Sequence, residues 1–131
     1  MKKLKGWILM LSILLSLFGM TACSDSGANT YDQITPQEAK TMMDTESDYI
    51  IIDARTDEEF AEGHIENAIL IPEYEIADRA EKELPDKDAL ILVYCRSGRR
   101  SKIASEELVK LGYTNGKEFG GIIDWPYDIV K

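Results

Sequence analysis

The stretch YCRSGRRS, Tyr94–Ser101, sets one cysteine beside a glycine and three arginines, in a chain of 131 residues with five arginines and a formal net charge of -9. An apolar run precedes it and a helical pattern follows, so the loop between them is short and must curl. Gly98 permits the backbone angles such a curl needs. Successive amides in the curl point inward as an anion-binding nest, and the next helix adds its positive end. Arg96, Arg99 and Arg100 bring charge that is not lost at biological pH. All of these favour a thiolate over a thiol, and the same groups attract an anion. The loop Arg96, Ser97, Gly98, Arg99, Arg100 therefore predicts Cys95 as a nucleophile meeting a negatively charged donor. A buried structural cysteine beside a solvated basic turn is the plainer alternative. The glycine, the arginines and the strand-to-helix junction together weigh against it.

The elements that must position this loop are legible as alternating strands and helices. TPQEAKTMMD reads as a helix with Thr35 as N-cap, Pro36 in the first turn and Glu38 closing a capping box. YIIIDAR is an apolar run typical of a strand buried on both faces. TDEEFAEG repeats the capping-box spacing with Thr56 and Glu59, ending at Gly63. AILIP is a second strand stopped by Pro72. EYEIADRAEKEL places Ile76, Ala80 and Leu84 on one helical face. ALILVYC is the most apolar strand and runs straight into the cysteine loop. SKIASEELVKLGY predicts a helix with Ile103, Ala104, Leu108 and Leu111 inward, closed by Gly112. KEFGGIIDWP suggests a short last strand, a glycine turn and a brief helical segment. This alternation predicts an α/β fold with a parallel sheet covered on both faces. Ligands of such sheets bind outside the carboxyl ends of the strands, where Cys95 lies.

The N-terminus reads differently. A basic MKKLKG, a 14-residue apolar run and the small residues of TAC follow in the order of a secretory signal. A membrane-spanning helix needs about 20 apolar residues, so residues 1–22 are expected to be a signal peptide and not an anchor. MTAC resembles a bacterial lipobox, with Met20 in place of the usual Leu, which makes Cys23 the lipidation site and residues 23–30 a polar tether. An ordinary signal cut near Ala22 is the alternative. Several acyl chains on Cys23 would hold the domain at a membrane, where one chain binds only marginally.

Loss of Lys2, Lys3 and Lys5 takes the net charge from -9 to -12. Such a surface repels nucleic acid and anionic headgroups, so membrane contact is expected through the lipid alone. With Cys23 capped, Cys95 is left without an internal disulfide partner. No His, Cys or carboxylate set has metal-ligand spacing, and no glycine-rich nucleotide loop is present. No metal or cofactor is expected.

Taken in order, IIDARTDEEFAEGHIENAILIP, VYCRSGRRS, ELVKLGY and GGIIDW resemble the rhodanese homology domain in its single-domain form, over residues 31–131. The resemblance implies a three-layer fold with a five-stranded parallel sheet and helices on both faces. It also implies a ping-pong sulfurtransferase. Cys95 would take the sulfane sulfur of thiosulfate or a similar donor, becoming a persulfide held by the loop amides from Arg96 to Arg100. A thiophilic acceptor would then remove that sulfur, cyanide in an assay and a thiol in the cell. Related phosphatases and arsenate reductases place five residues between cysteine and arginine. Here Cys95 and Arg100 have four between them, the shorter loop of sulfurtransferases.

Other residues in the motifs have bland readings beside the functional ones. His64 is the one histidine, and a structural role in its turn is favoured over a general base. Asp53 and Arg55 match the family's Asp-x-Arg pair and are expected to organise the active-site rim as an ion pair. Trp125 is either a wall of the pocket or a core tryptophan. The acidic set from Glu73 to Glu83 reads as a solvated helix face. Two rival functions stay open at this point. One is a thiol redox enzyme acting with a partner, which lacks a resolving cysteine in cis. The other is a non-catalytic sulfur-sensing or docking module, for which the loop is unexpectedly intact.

Overall fold

The computed structural model describes residues 30–131. The expected signal peptide, Cys23 and the tether up to residue 29 lie outside the described residues. The order of elements is β1 (Asp32–Gln33), α1 (Pro36–Thr45), β2 (Ile50–Asp53), α2 (Asp57–Glu62), β3 (Ile69–Leu70), α3 (Ile76–Glu83), β4 (Ile91–Cys95), α4 (Arg99–Lys110) and β5 (Gly116–Gly121). Single 3-10 turns, Glu73–Glu75 and Ile122–Asp124, lead into α3 and follow β5.

Five strands pair in the order β1-β5-β4-β2-β3, and every pairing is parallel. β4 lies at the centre, and all of ILVYC is buried, as expected of a strand covered on both faces. Side chains alternate across it. Ile91, Val93 and Cys95 join Ile76, Ala80, Ala104 and Leu108 in the core beneath α3 and α4. Leu92 and Tyr94 join Ala39, Ile51, Phe119 and Trp125 in the core beneath α1. The thiol and the tyrosine next to it thus serve opposite faces.

Local signals explain the helix ends. Both capping boxes form: Thr35 Oγ1 accepts from Glu38 N and Thr56 Oγ1 from Glu59 N, each with the reciprocal bond. α4 closes with Gly112 at φ 98°, which suits glycine. There the amides of Tyr113 and Gly112 donate to the carbonyls of Leu108 and Val109, both at 3.0 Å, the Schellman pattern.

One strand is added to the local reading and two expectations change. β1 is only two exposed residues, too short and too polar for an apolar pattern to mark it. The helix expected from Glu73 begins as a 3-10 turn, closed by the Glu75 amide donating to the Pro72 carbonyl at 2.8 Å, and becomes α-helical at Ile76. In α4 the fully buried positions are Ser101, Ala104, Ser105 and Leu108, while Ile103 is half-buried. The inward stripe keeps its helical spacing but carries two serines, which a reading by hydrophobicity passes over.

Candidate active site

The cysteine loop is shaped from three sides. Gly98 adopts φ 113° and ψ -20° immediately before α4, a left-handed geometry that costs other residues about 1–2 kcal/mol. This turn brings the Gly98 amide within 3.0 Å of Cys95 Sγ. Lys102 N, bonded to the Gly98 carbonyl, makes the first helical bond of α4. The amides of Arg99, Arg100 and Ser101 therefore have no acceptor inside the helix. They form the positive end of α4, which begins four residues after Cys95.

The third side is the glycine pair after Phe119. Pairing of β4 with β5 slips by one residue, from Val93 opposite Glu118 to Cys95 opposite Gly121. Gly120, at φ 90°, takes up the extra residue, as a β-bulge does. Gly121 then lies so close to the loop that an added Cβ would overlap the Arg96 carbonyl and the Ser97 Cα. Ile123 N donates to the same Arg96 carbonyl at 3.2 Å. Only a bare glycine allows this approach.

The expected loop residues are brought together, but not all in the expected state. Cys95 is 1% exposed, so its sulfur lies beneath the surface of the loop. Arg96, Ser97 and Arg99 are exposed. Arg100 instead donates to both oxygens of Glu59 in α2, at 2.8 and 2.9 Å. That hydrogen-bonded pairing raises the pKa of Arg100 and, against the opposing effect of burial, lowers that of Glu59 to about 2. One of the three loop charges is thus already neutralised by a neighbour.

Asp53 and Arg55 do form an ion pair, with Arg55 Nη2 2.7 Å from Asp53 Oδ2. It is not on the rim. Asp53 is 0% and Arg55 5% exposed, and Asp53 pairs in register with Tyr94, facing away from Cys95. Tyr94 Oη donates to Asp53 at 2.7 Å and accepts from Ile65 N at 3.0 Å. Arg55 Nη2 donates to the Gly63 carbonyl at 2.6 Å. The cluster ties the turn after α2 to the sheet from below. Burial, then the Asp53 charge, pushes the Tyr94 pKa well above the ordinary tyrosine range.

His64 and Trp125 take structural places. The His64 ring stacks on Phe60 at 3.7 Å between centroids, and its backbone pairs with Val130. Trp125 packs against Phe119 in the core under α1. It lines a cleft of about 480 Å³ that includes none of the cysteine loop. A groove of about 320 Å³, bordered by Ser97, Gly98, Lys102, Glu118 and Gly120, runs along the loop instead.

Two residues at the thiol escape a motif-based reading. Ser101 Oγ is 3.4 Å from Cys95 Sγ, and Glu118 Oε2 is 2.5 Å from Ser101 Oγ. Glu118, 2% exposed, lies on the same face as Val93 and Cys95. The available signal was parity: two residues before a bulge glycine, next to the inward Phe119, Glu118 has to face the other way, toward α4.

Residues 35–125 match the family model described as the rhodanese-like domain. The chain belongs to the rhodanese family. This rhodanese is 40% identical over 80 residues to thiosulfate sulfurtransferase PspE of Escherichia coli, covering 61% of this chain and 77% of that protein. It is 41% identical over 85 residues to a sulfurtransferase of Allochromatium vinosum, covering 64% and 77%. A solved structure of a rhodanese with anions from E. coli superposes with a TM-score of 0.60 at 37% identity, over 63% of this chain and 98% of that one. The fold is the rhodanese α/β fold, and the chain is an enzyme of the rhodanese type.

Proposed function

We propose that this rhodanese moves a sulfane sulfur through Cys95. The thiolate attacks the outer sulfur of thiosulfate or a similar anionic donor. The donor's S–S bond breaks, sulfite leaves with the bonding pair, and Cys95 becomes a persulfide. In the second half, cyanide or a cellular thiol attacks the outer sulfur and the electron pair returns to Cys95. Charge and atoms balance in both halves, and no redox partner is needed. The observation that supports this most is the Gly98 amide 3.0 Å from Cys95 Sγ, at the carboxyl end of the central strand and just before the start of α4. Burial of Sγ suits the scheme, since an S–S bond carries the transferable sulfur about 2 Å further out. Incubation with thiosulfate is expected to add the mass of one sulfur atom to the wild type and none to Cys95→Ser. An unchanged mass while Cys95 remains a free thiol overturns the reading.

The site of action is proposed from the N-terminal residues: export, then lipid attachment at Cys23 after loss of residues 1–22, leaving the domain outside the cytoplasm. Cys23→Ser is expected to release the protein from the membrane fraction. Retention of that variant in the membrane fraction counts against lipid anchoring.

A further inference from the structure

Ser101 Oγ sits between two groups able to exchange a proton with it. Cys95 Sγ lies 3.4 Å to one side and Glu118 Oε2 2.5 Å to the other. The carbonyls of Gly98 and Gly120 also face the hydroxyl, at 3.0 and 3.4 Å. When Cys95 and Glu118 are both ionised, all four neighbours are acceptors, and a serine hydroxyl has a single proton to donate. The cluster is satisfied only when Cys95 or Glu118 carries a proton to it.

Charge leads to the same place. Glu118 is 2% exposed, and its other hydrogen bond is from the Gly120 amide at 2.9 Å. Among the described residues no Lys or Arg nitrogen pairs with it within 4.0 Å. A buried carboxylate without a cation, one serine away from a second acid, opposes a second negative charge there.

We propose that Glu118 stores the proton of Cys95: the two share one proton through Ser101, and Cys95 becomes a thiolate as Glu118 becomes a neutral carboxylic acid. In one arrangement the Cys95 S–H donates to Ser101 Oγ, and the Ser101 O–H donates to the Glu118 carboxylate. In the other, Glu118 O–H donates to Ser101 Oγ, and the Ser101 O–H donates to the thiolate. Passing between them breaks the S–H bond, forms an O–H bond on Glu118 and renews the one on Ser101. Net charge does not change. The neutral acid then lies beneath a thiolate, a persulfide or an arriving dianion without repelling it. Glu118 is thus a positioning residue that acts through Ser101, and the assignment rests on Cys95 being the nucleophile.

The surrounding charges leave this exchange to the three residues. Arg100 of α4 faces the thiol but is held by Glu59 of α2. Lys102 of α4 and Asp124 of the last turn, opposite in sign, border the groove with Glu118. Asp53 and Arg55 neutralise each other on the far face, and Arg96 and Arg99 extend into solvent.

The test is the rate of Cys95 alkylation by iodoacetamide across pH, in the wild type, Glu118→Gln and Ser101→Ala. Glutamine, with its amide oxygen in place of Oε2, keeps the acceptor that the Gly120 amide and the Ser101 hydroxyl share, but takes no proton. Two steps are expected in the wild type and one in Glu118→Gln, with the variant reacting at least threefold faster near neutral pH. Ser101→Ala, which loses the donor to the thiolate, is expected to react more slowly. Superimposable profiles for the wild type and Glu118→Gln overturn the proposal. Infrared difference spectra decide independently, even if Glu118→Gln does not fold. Thiosulfate-loaded wild type minus thiosulfate-loaded wild type back-titrated to alkaline pH is expected to show a carboxylic-acid C=O band from Glu118. Its absence in protein whose mass confirms the persulfide also overturns the proposal. If no persulfide forms at all, the sulfur-transfer reading fails while the alkylation profiles still decide this one.

Discussion

Glu59 closes the capping box of α2 and, with the same carboxylate, holds Arg100 at the start of α4 through bonds of 2.8 and 2.9 Å. A helix cap thereby sets how much positive charge the cysteine loop presents. Glu59→Gln keeps the cap, since glutamine also serves in a capping box, and leaves Arg100 uncompensated. The KM for thiosulfate is expected to fall two- to threefold at low ionic strength, with kcat little changed, and added salt to erase the difference. Initial rates at two salt concentrations check this.

The same pair makes stability depend on acid. Glu59 titrates at about 2 in the folded chain against 4.5 for the free group. A depressed carboxyl contributes stability above the unfolded value and loses it as pH falls through the folded one. The wild type is expected to exceed Glu59→Gln by about 1 kcal/mol near neutral pH, the scale of a partly exposed pair. That margin should vanish between about pH 4.5 and pH 2, which urea unfolding at stepped pH measures.

Gly121 and Gly120 are adjacent but answer to different constraints. Gly121→Ala forces a Cβ into the Arg96 carbonyl, which has to move with the loop. A loss of about 3 kcal/mol and of most sulfur transfer is expected. Gly120→Ala meets nothing within 4 Å and bears only the strain of φ 90°, about 1–2 kcal/mol, with most transfer retained. Thermal melts and persulfide mass on both variants separate the two effects.

Tyr94 belongs to the buried cluster on the sheet face opposite Cys95. Tyr94→Phe leaves Ile65 N and Asp53 Oδ2 each short of a partner, at about 1–3 kcal/mol, with turnover per folded molecule unchanged. Asp53→Asn strands the Arg55 charge and is expected to cost more, about 3–5 kcal/mol. Because the Tyr94 pKa is raised above the ordinary 10.0, its contribution is complete below pH 10 and falls as pH climbs past it. Alkaline absorbance titration of the folded protein is expected to show as many tyrosines ionising near pH 10 in Tyr94→Phe as in the wild type.

His64→Ala removes a ring stacked on Phe60 at 3.7 Å and its Nδ1 contact of 2.9 Å to the Phe60 carbonyl. A loss of about 1 kcal/mol with little change in kcat is expected. A large fall in kcat in a variant with a normal melting profile contradicts the structural role.

Much of this molecule is local and therefore legible in the chain. Thr35 and Thr56 with their glutamates, the ILVYC run and Gly98 before a helix each declare an element through short-range sterics and hydrogen bonding. Cys95 with its loop points to the proposed chemistry, because Gly98, a helix start and three arginines all lie within seven residues of one another. What remains depends on register. The pairing of Asp53 with Tyr94 turns the Asp-x-Arg pair away from the thiol, and no local pattern reports which face a strand-end residue shares. The slip at Gly120 puts Gly121 against Arg96 and Glu118 behind Ser101, across 17 or more residues of chain. The loop's composition marks Cys95 as a candidate nucleophile; only the packing of β5 and α2 against that loop decided which carboxylate reaches Ser101 beside the thiol, and which holds the arginine.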